Sequence, residues 1–176
     1  MSAHGPSRPD PSEYAAYYGK YIEPVAAGNV MELLKSQPVV LQSLRSLGDA
    51  DSARRYAPGK WSVKEVVGHI TDAERIFSYR MLRIARGDQT PLAGFDQQPY
   101  VDAAQFDRFP IGQLVDAFGT ARASTLSIMD EIDGDGWARM GTASGFPVSA
   151  RALAYIIAGH VAHHTDILRD RYGLTV

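Results

Sequence analysis

Between Ser62 and Gly87 the apolar residues Val63, Val66, Val67, Ile70, Phe77, Met81 and Ile84 recur at the period of a helix, not at the alternation of a strand. A helix with one apolar stripe must lay that stripe against other elements that carry stripes of their own. This start is also marked chemically. Ser62-Val63-Lys64-Glu65 places a serine and a glutamate three apart, the pattern of a capping box that satisfies two free backbone donors. Trp61 stands ahead of the cap, where a staple-like contact is expected, and Gly87 is placed to end the helix.

Three other stretches have the same character. Asn29 to Leu47 reads as helix, with Asn29 as N-cap and Gly48 as stop; Pro38 must kink it or split it in two. A third helix starts near Pro110, which suits a first-turn position, and its core face is Ile111, Leu114, Val115, Phe118, Leu126, Met129 and Ile132. The fourth is capped by Ser149, runs to Tyr172 and stops at Gly173. Residues 88–109 read as a long connection, the mark of a crossover between bundle helices. Residues 133–148 read as loop, with room for short extended pieces. Strand signals are nearly absent. The expected fold is therefore all-α, a four-helix bundle with a long crossover. Residues 1–11, with three prolines, are expected as a flexible lead-in, and residues 12–176 as a single domain. Tyr14, Tyr17, Tyr18 and Tyr21 fall at helix-like spacing and are expected to pack on the outside of the bundle.

Charge narrows the partners. There are 18 basic and 20 acidic residues, a net charge of -2, without a block of one sign, so neither nucleic acid nor an anionic membrane is expected as a partner. The absence of cysteine removes disulfides and thiolate metal ligands. The N-terminal residues lack an apolar signal region, and a cytoplasmic protein acting on a small molecule is the expectation.

The histidines carry the chemistry. A helix turns about 100° per residue, which puts His160 and His164 about 40° apart, in the middle of the stripe formed by Leu153, Ile156, Ile157 and Ile167. Two imidazoles aimed into a core need partners, and one metal ion satisfies both through neutral nitrogen lone pairs. His69 borders the second helix's stripe, placed to reach a neighbouring helix as a third ligand. Three histidines leave positions open for water or substrate. His163 lies at the stripe's edge, an alternative ligand or a rim residue. Glu74 falls inside the second helix's stripe. A buried ion pair with Arg80 or Arg122 is the favoured reading, and a hydrogen-bonding or acid/base role beside the metal is the other. Asp166 is expected to face solvent.

At these residues the chain resembles a known family. The run from Tyr56 to Glu74 (YAPGKWSVKEVVGHITDAE) is similar to the second-helix signature of the DinB-like/YfiT-like superfamily. Gly159 to Leu168 (GHVAHHTDIL) resembles its C-terminal metal-binding helix, and Phe95 to Val101 (FDQQPYV) the crossover of its YfiT-type members. The resemblance covers roughly residues 20–172. It implies a four-helix bundle with a long crossover, a nickel or zinc ion held by His69, His160 and His164, and a homodimer. It further implies a thiol S-transferase that uses bacillithiol, mycothiol or glutathione as co-substrate, or else a metal-dependent hydrolase. Thr165-Asp166 departs from the Arg-Gly or similar pair of some relatives, and the extra His163 leaves the ligand choice open.

The leading functional expectation is thus a metal-dependent S-transferase joining a small thiol to electrophiles, with Arg80, Arg83 and the crossover placed near the thiol's acidic end. A hydrolase with Glu74 or Asp166 as base is the second. A non-catalytic metal- or ligand-binding homodimer is the third.

Overall fold

The computed structural model describes residues 5–25 and 30–176. The chain forms α1 (Gly19–Ile22), α2 (Val30–Leu41), α3 (Asp49–Ser52), α4 (Val63–Ala85), α5 (Gln97–Ala104), α6 (Ile111–Asp130), α7 (Gly134–Ala138), β1 (Met140–Ala143), β2 (Phe146–Ser149) and α8 (Ala150–Tyr172). The four longest helices make the bundle. α4 packs against α6 and α8, and α2 packs against the same two, so α2 and α4 face each other across the diagonal.

The helix ends follow from local chemistry. Ser62 accepts from the backbone of Glu65 while the Glu65 carboxylate accepts from the backbone of Ser62, the reciprocal box expected from sequence. Ser149 caps α8 through the Ala152 backbone, and Gly173 takes the left-handed conformation that ends it. Pro110 serves as the N-cap of α6 rather than as its first residue. The start expected at Asn29 lies outside the described residues.

Pro38 does not split its helix. It sits inside α2, which tightens afterwards into a 3-10 turn over Gln42–Ser46. A proline has no N–H for the carbonyl four residues back, here that of Leu34. That carbonyl instead accepts from Arg122 Nη1 at 2.6 Å. The same nitrogen donates to Gln37 Oε1 at 2.7 Å. Arg122 Nε and Nη2 donate to the two oxygens of Glu74 at 2.7 and 2.9 Å, and both side chains are 1% exposed. Gln37 Nε2 closes the set by donating to Ala158 O, 2.7 Å away on α8. One buried guanidinium thereby links all four bundle helices. The apolar core divides around this polar layer. Leu34, Phe77, Met129 and Ile157 belong to one half, and Leu41, Ile70, Phe118 and Val161 to the other.

The connections hold more structure than their composition suggests. The crossover contains α5, capped by the Asp96 side chain. Residues 133–148, expected as loop with room for short extended pieces, form α7 and an antiparallel hairpin with Met140 opposite Ser149 and Ala143 opposite Phe146. Ser144 and Gly145 at its tip both have positive φ, as a two-residue primed turn requires. Leu92 of the crossover exchanges backbone hydrogen bonds with Thr142 and Ser144, which pins the crossover to the hairpin. The lead-in is a further correction. Pro6 and Pro9 are buried, and the Arg8 guanidinium donates to the carbonyls of Val25 and Glu23, so residues 5–11 lie bound to the body.

Replacing Arg122 by Met leaves the Glu74 carboxylate buried and unpaired, which should cost about 3–5 kcal/mol. The double variant Glu74→Met/Arg122→Met should recover much of that loss. Urea unfolding of the two variants checks both expectations.

Candidate metal centre

α4 and α8 lie side by side, and each carries a histidine directly after a glycine. These glycines are structural necessities. A Cβ on Gly159 would stand 1.9 Å from the carbonyl oxygen of Tyr21, so only glycine lets α1 close down on α8 beside His160. A Cβ on Gly68 would stand 2.4 Å from the Phe106 ring. Both Gly-His pairs mark places where a neighbour presses on the backbone while the next side chain points inward.

His69, His160 and His164 are 3%, 5% and 8% exposed. Each offers one ring nitrogen, and these atoms lie within 4.8 Å of one another. His69 Nε2 and His160 Nε2 are 3.1 Å apart. Two nitrogens each about 2.0–2.1 Å from one cation can be no more than about 4.2 Å apart, so this pair fits a shared ion. Burial drives the His69 pKa down from 6.5 to about 4. His160 and His164 are pushed well below 6.5, first by burial and then by neighbouring imidazoles. The rings are therefore neutral at pH 7, the state in which imidazole is a ligand. His164 Nδ1 is buried with no hydrogen-bond partner. A crowded set of neutral nitrogens, one of them orphaned, is a donor set that suits a borderline divalent cation.

The rings are wedged by aromatics. Trp61 lies 4.7 Å from His69, centroid to centroid, and Tyr21 and Phe77 meet the edges of His160 at 5.3 and 5.9 Å. Beside the trio opens a cavity of about 410 Å³, with His69 and His160 in its wall together with Tyr17, Tyr18, Phe77 and Phe95. Asp96 supplies the one carboxylate of this lining, from the crossover.

The other candidates sit elsewhere. His163 is exposed, 5.2 Å from His164 and 5.5 Å from Tyr21 between ring centroids, and lies outside the trio. Both Glu74 oxygens are taken up by Arg122, and Glu74 does not line the cavity; it is placed as a structural anion rather than as an acid or base. Asp166 is exposed and pairs with Arg169. Sequence reasoning missed Asp96; the tyrosine segment packs onto α8 as expected, and Tyr17, Tyr18 and Tyr21 also form one wall of the cavity. The available signal for the tyrosine wall was Gly159 ahead of His160, since a glycine lets another backbone approach closely.

The DinB superfamily profile matches residues 32–168, a span that includes all three histidines. The chain belongs to the DinB superfamily. This DinB-family protein has the fold of YfiT from Bacillus subtilis, with a TM-score of 0.73 at 16% identity over 96% of this chain and 95% of that one. That protein is described as "a probable metal-dependent hydrolase with an unusual four-helix bundle topology". A mycothiol-dependent maleylpyruvate isomerase aligns with a TM-score of 0.64 and 16% identity, over 78% of this chain and 58% of its own. An Oceanobacillus iheyensis protein named "Putative metal-dependent hydrolase" is 30% identical over 60 residues. The matched stretch spans 34% of each of those two chains, about a third of the relative's length. No helix among the described residues is long and apolar enough to cross a membrane.

The metal-free DinB-family protein should lose stability as pH falls from 6.5 toward about 4. The sign follows from linkage: the unfolded chain takes up protons at histidines that the folded chain keeps neutral, so acid favours unfolding. Thermal melts across that range check it. Gly159→Ala should destabilise by about 1–3 kcal/mol or more, because the added methyl meets backbone and not a flexible side chain.

Proposed function

We propose that this protein is a metal-dependent enzyme that joins a low-molecular-weight thiol to a small electrophile, with a nickel or zinc ion held by His69, His160 and His164. The observation that carries it is a pair of adjoining cavities. The first, of about 410 Å³, contains His69 and His160, and the second, of about 340 Å³, shares Phe95 with it. Two neighbouring spaces suit two organic reactants better than one reactant and water. The relative named as mycothiol-dependent supports a thiol in such a fold.

An ion at the three imidazoles supplies Lewis acidity, lowering the pKa of a thiol so that thiolate is present near pH 7. The chain's own groups do the rest. The neutral trio binds without a competing proton. Trp61, Tyr21 and Phe77 hold the rings in place. The aromatic wall covers the apolar part of a substrate and thins the water around it. Asp96, whose Oδ1 caps α5 by accepting from Gln98 N, is the one carboxylate of the cavity lining and, in this proposal, takes the thiol proton. In the transfer the carbon–sulfur bond forms, the bond to the leaving group breaks, and the leaving group departs with its electron pair.

Hydrolysis is the second reading. It is favoured by the names of two relatives and by Asp96, which can serve water as it serves a thiol. Glu74 and Asp166 are not available for that task.

Elemental analysis of the purified protein should find about one nickel or zinc per chain, as a single trio implies. His160→Ala and His69→Ala should bring that to near zero. Conjugation of monochlorobimane with bacillithiol, mycothiol or glutathione should proceed in the wild type and drop to the uncatalysed rate with chelator. Ester cleavage without thiol consumption would replace transfer by hydrolysis, and full metal content in either variant would overturn the site.

A further inference from the structure

Arg80 is a cation in an unusual place. It is 3% exposed, and among the described residues no carboxylate lies within ion-pair distance of it. The other deeply buried arginine, Arg122, has Glu74 for that purpose. A guanidinium has five N–H donors and needs either water or an anion around it. Arg80 Nη2 donates to Ala93 O at 2.7 Å. Its carbon stands 5.7 Å from the Phe77 ring and 5.8 Å from the Phe95 ring, contacts that soften the charge without neutralising it.

Arg80 lines the second cavity, whose wall includes Tyr79, Tyr100, Leu92 and Phe95 and contains no Asp or Glu. Arg83 lines it too, but its guanidinium is engaged by Asp88 and Tyr79. The cavity therefore holds one offset positive charge and one that is not. Its floor is firm: the Leu92 backbone is bonded to Thr142 and Ser144 of the hairpin. Phe95 lines both this space and the one beside His69 and His160.

We propose that the cavity around Arg80 is an anion subsite that takes the carboxylate of a small aromatic or aliphatic acid. A planar carboxylate matches the paired donors of a guanidinium, and the neighbouring rings suit its organic body. The assignment of that acid as a reactant rests on the proposed transfer or hydrolysis; its binding does not.

Titration calorimetry with benzoate, benzamide and inorganic phosphate tests it, on metal-free and metal-loaded protein alike. Benzoate should bind at least about tenfold more tightly than benzamide, the difference that one charged hydrogen-bonded pair supplies. Arg80→Met should remove that preference, and Arg80→Lys should keep part of it. Equal binding of benzoate and benzamide, absence of binding by both, or phosphate binding in place of benzoate would each overturn the proposal. The wild-type comparison stands even where Arg80→Met fails to fold. Benzoate binding without thiol transfer or ester cleavage leaves the subsite and removes the enzymatic reading; catalysis without a benzoate preference does the reverse.

Discussion

The bundle is organised around the guanidinium of Arg122. It is buried on α6, holds Glu74 of α4 through both carboxylate oxygens, and holds Leu34 O and Gln37 of α2. Gln37 carries the connection on to Ala158 of α8. A buried charge is tolerable only when each donor has a partner, so these groups leave the four helices little freedom to slide past one another. Pro38 is part of this arrangement, since the donor it lacks frees the Leu34 carbonyl for Arg122. A residue type that usually ends a helix thus frees an acceptor for the centre of the bundle.

The histidines lie at nearly the same level. Glu74 follows His69 by little more than a turn, and Ala158 precedes His160 by two residues. The register that the Arg122 network sets is also the register that brings Nε2 of His69 to 3.1 Å from Nε2 of His160. Gly159 adds to this by letting the Tyr21 backbone approach, which brings the tyrosine wall over His160. Burial then does two things at once. It keeps the rings neutral, and it leaves His164 Nδ1 without a protein partner. Both favour a cation.

Much of this was legible in the chain. The capping box at Ser62, the cap at Ser149 and the stop at Gly173 are local features, and they stand where the sequence puts them. The inward aim of His160 and His164 follows from their place in an apolar stripe. The ion pair of Glu74 with Arg122 was one of two partners that burial alone suggested. The crossover's helix and the bound lead-in are not legible, and of the hairpin the chain shows only room for short extended pieces. Their residues carry no sustained helical or alternating period, and they become ordered by contact. Leu92 meets the hairpin, and Arg8 meets the carbonyls of Val25 and Glu23.

By itself, then, the sequence determined where the long bundle helices lie, the caps at Ser62 and Ser149, the stop at Gly173, and which helix faces turn inward, because periodicity and capping act over a few residues. Only the tertiary structure decided that His69 meets the pair on α8, that Asp96 and not Glu74 faces the cavity, and that Arg80 is buried without a carboxylate. Those facts depend on which helices become neighbours and at what register, and that is set by packing and by satisfying buried charges between residues 48 to 121 positions apart.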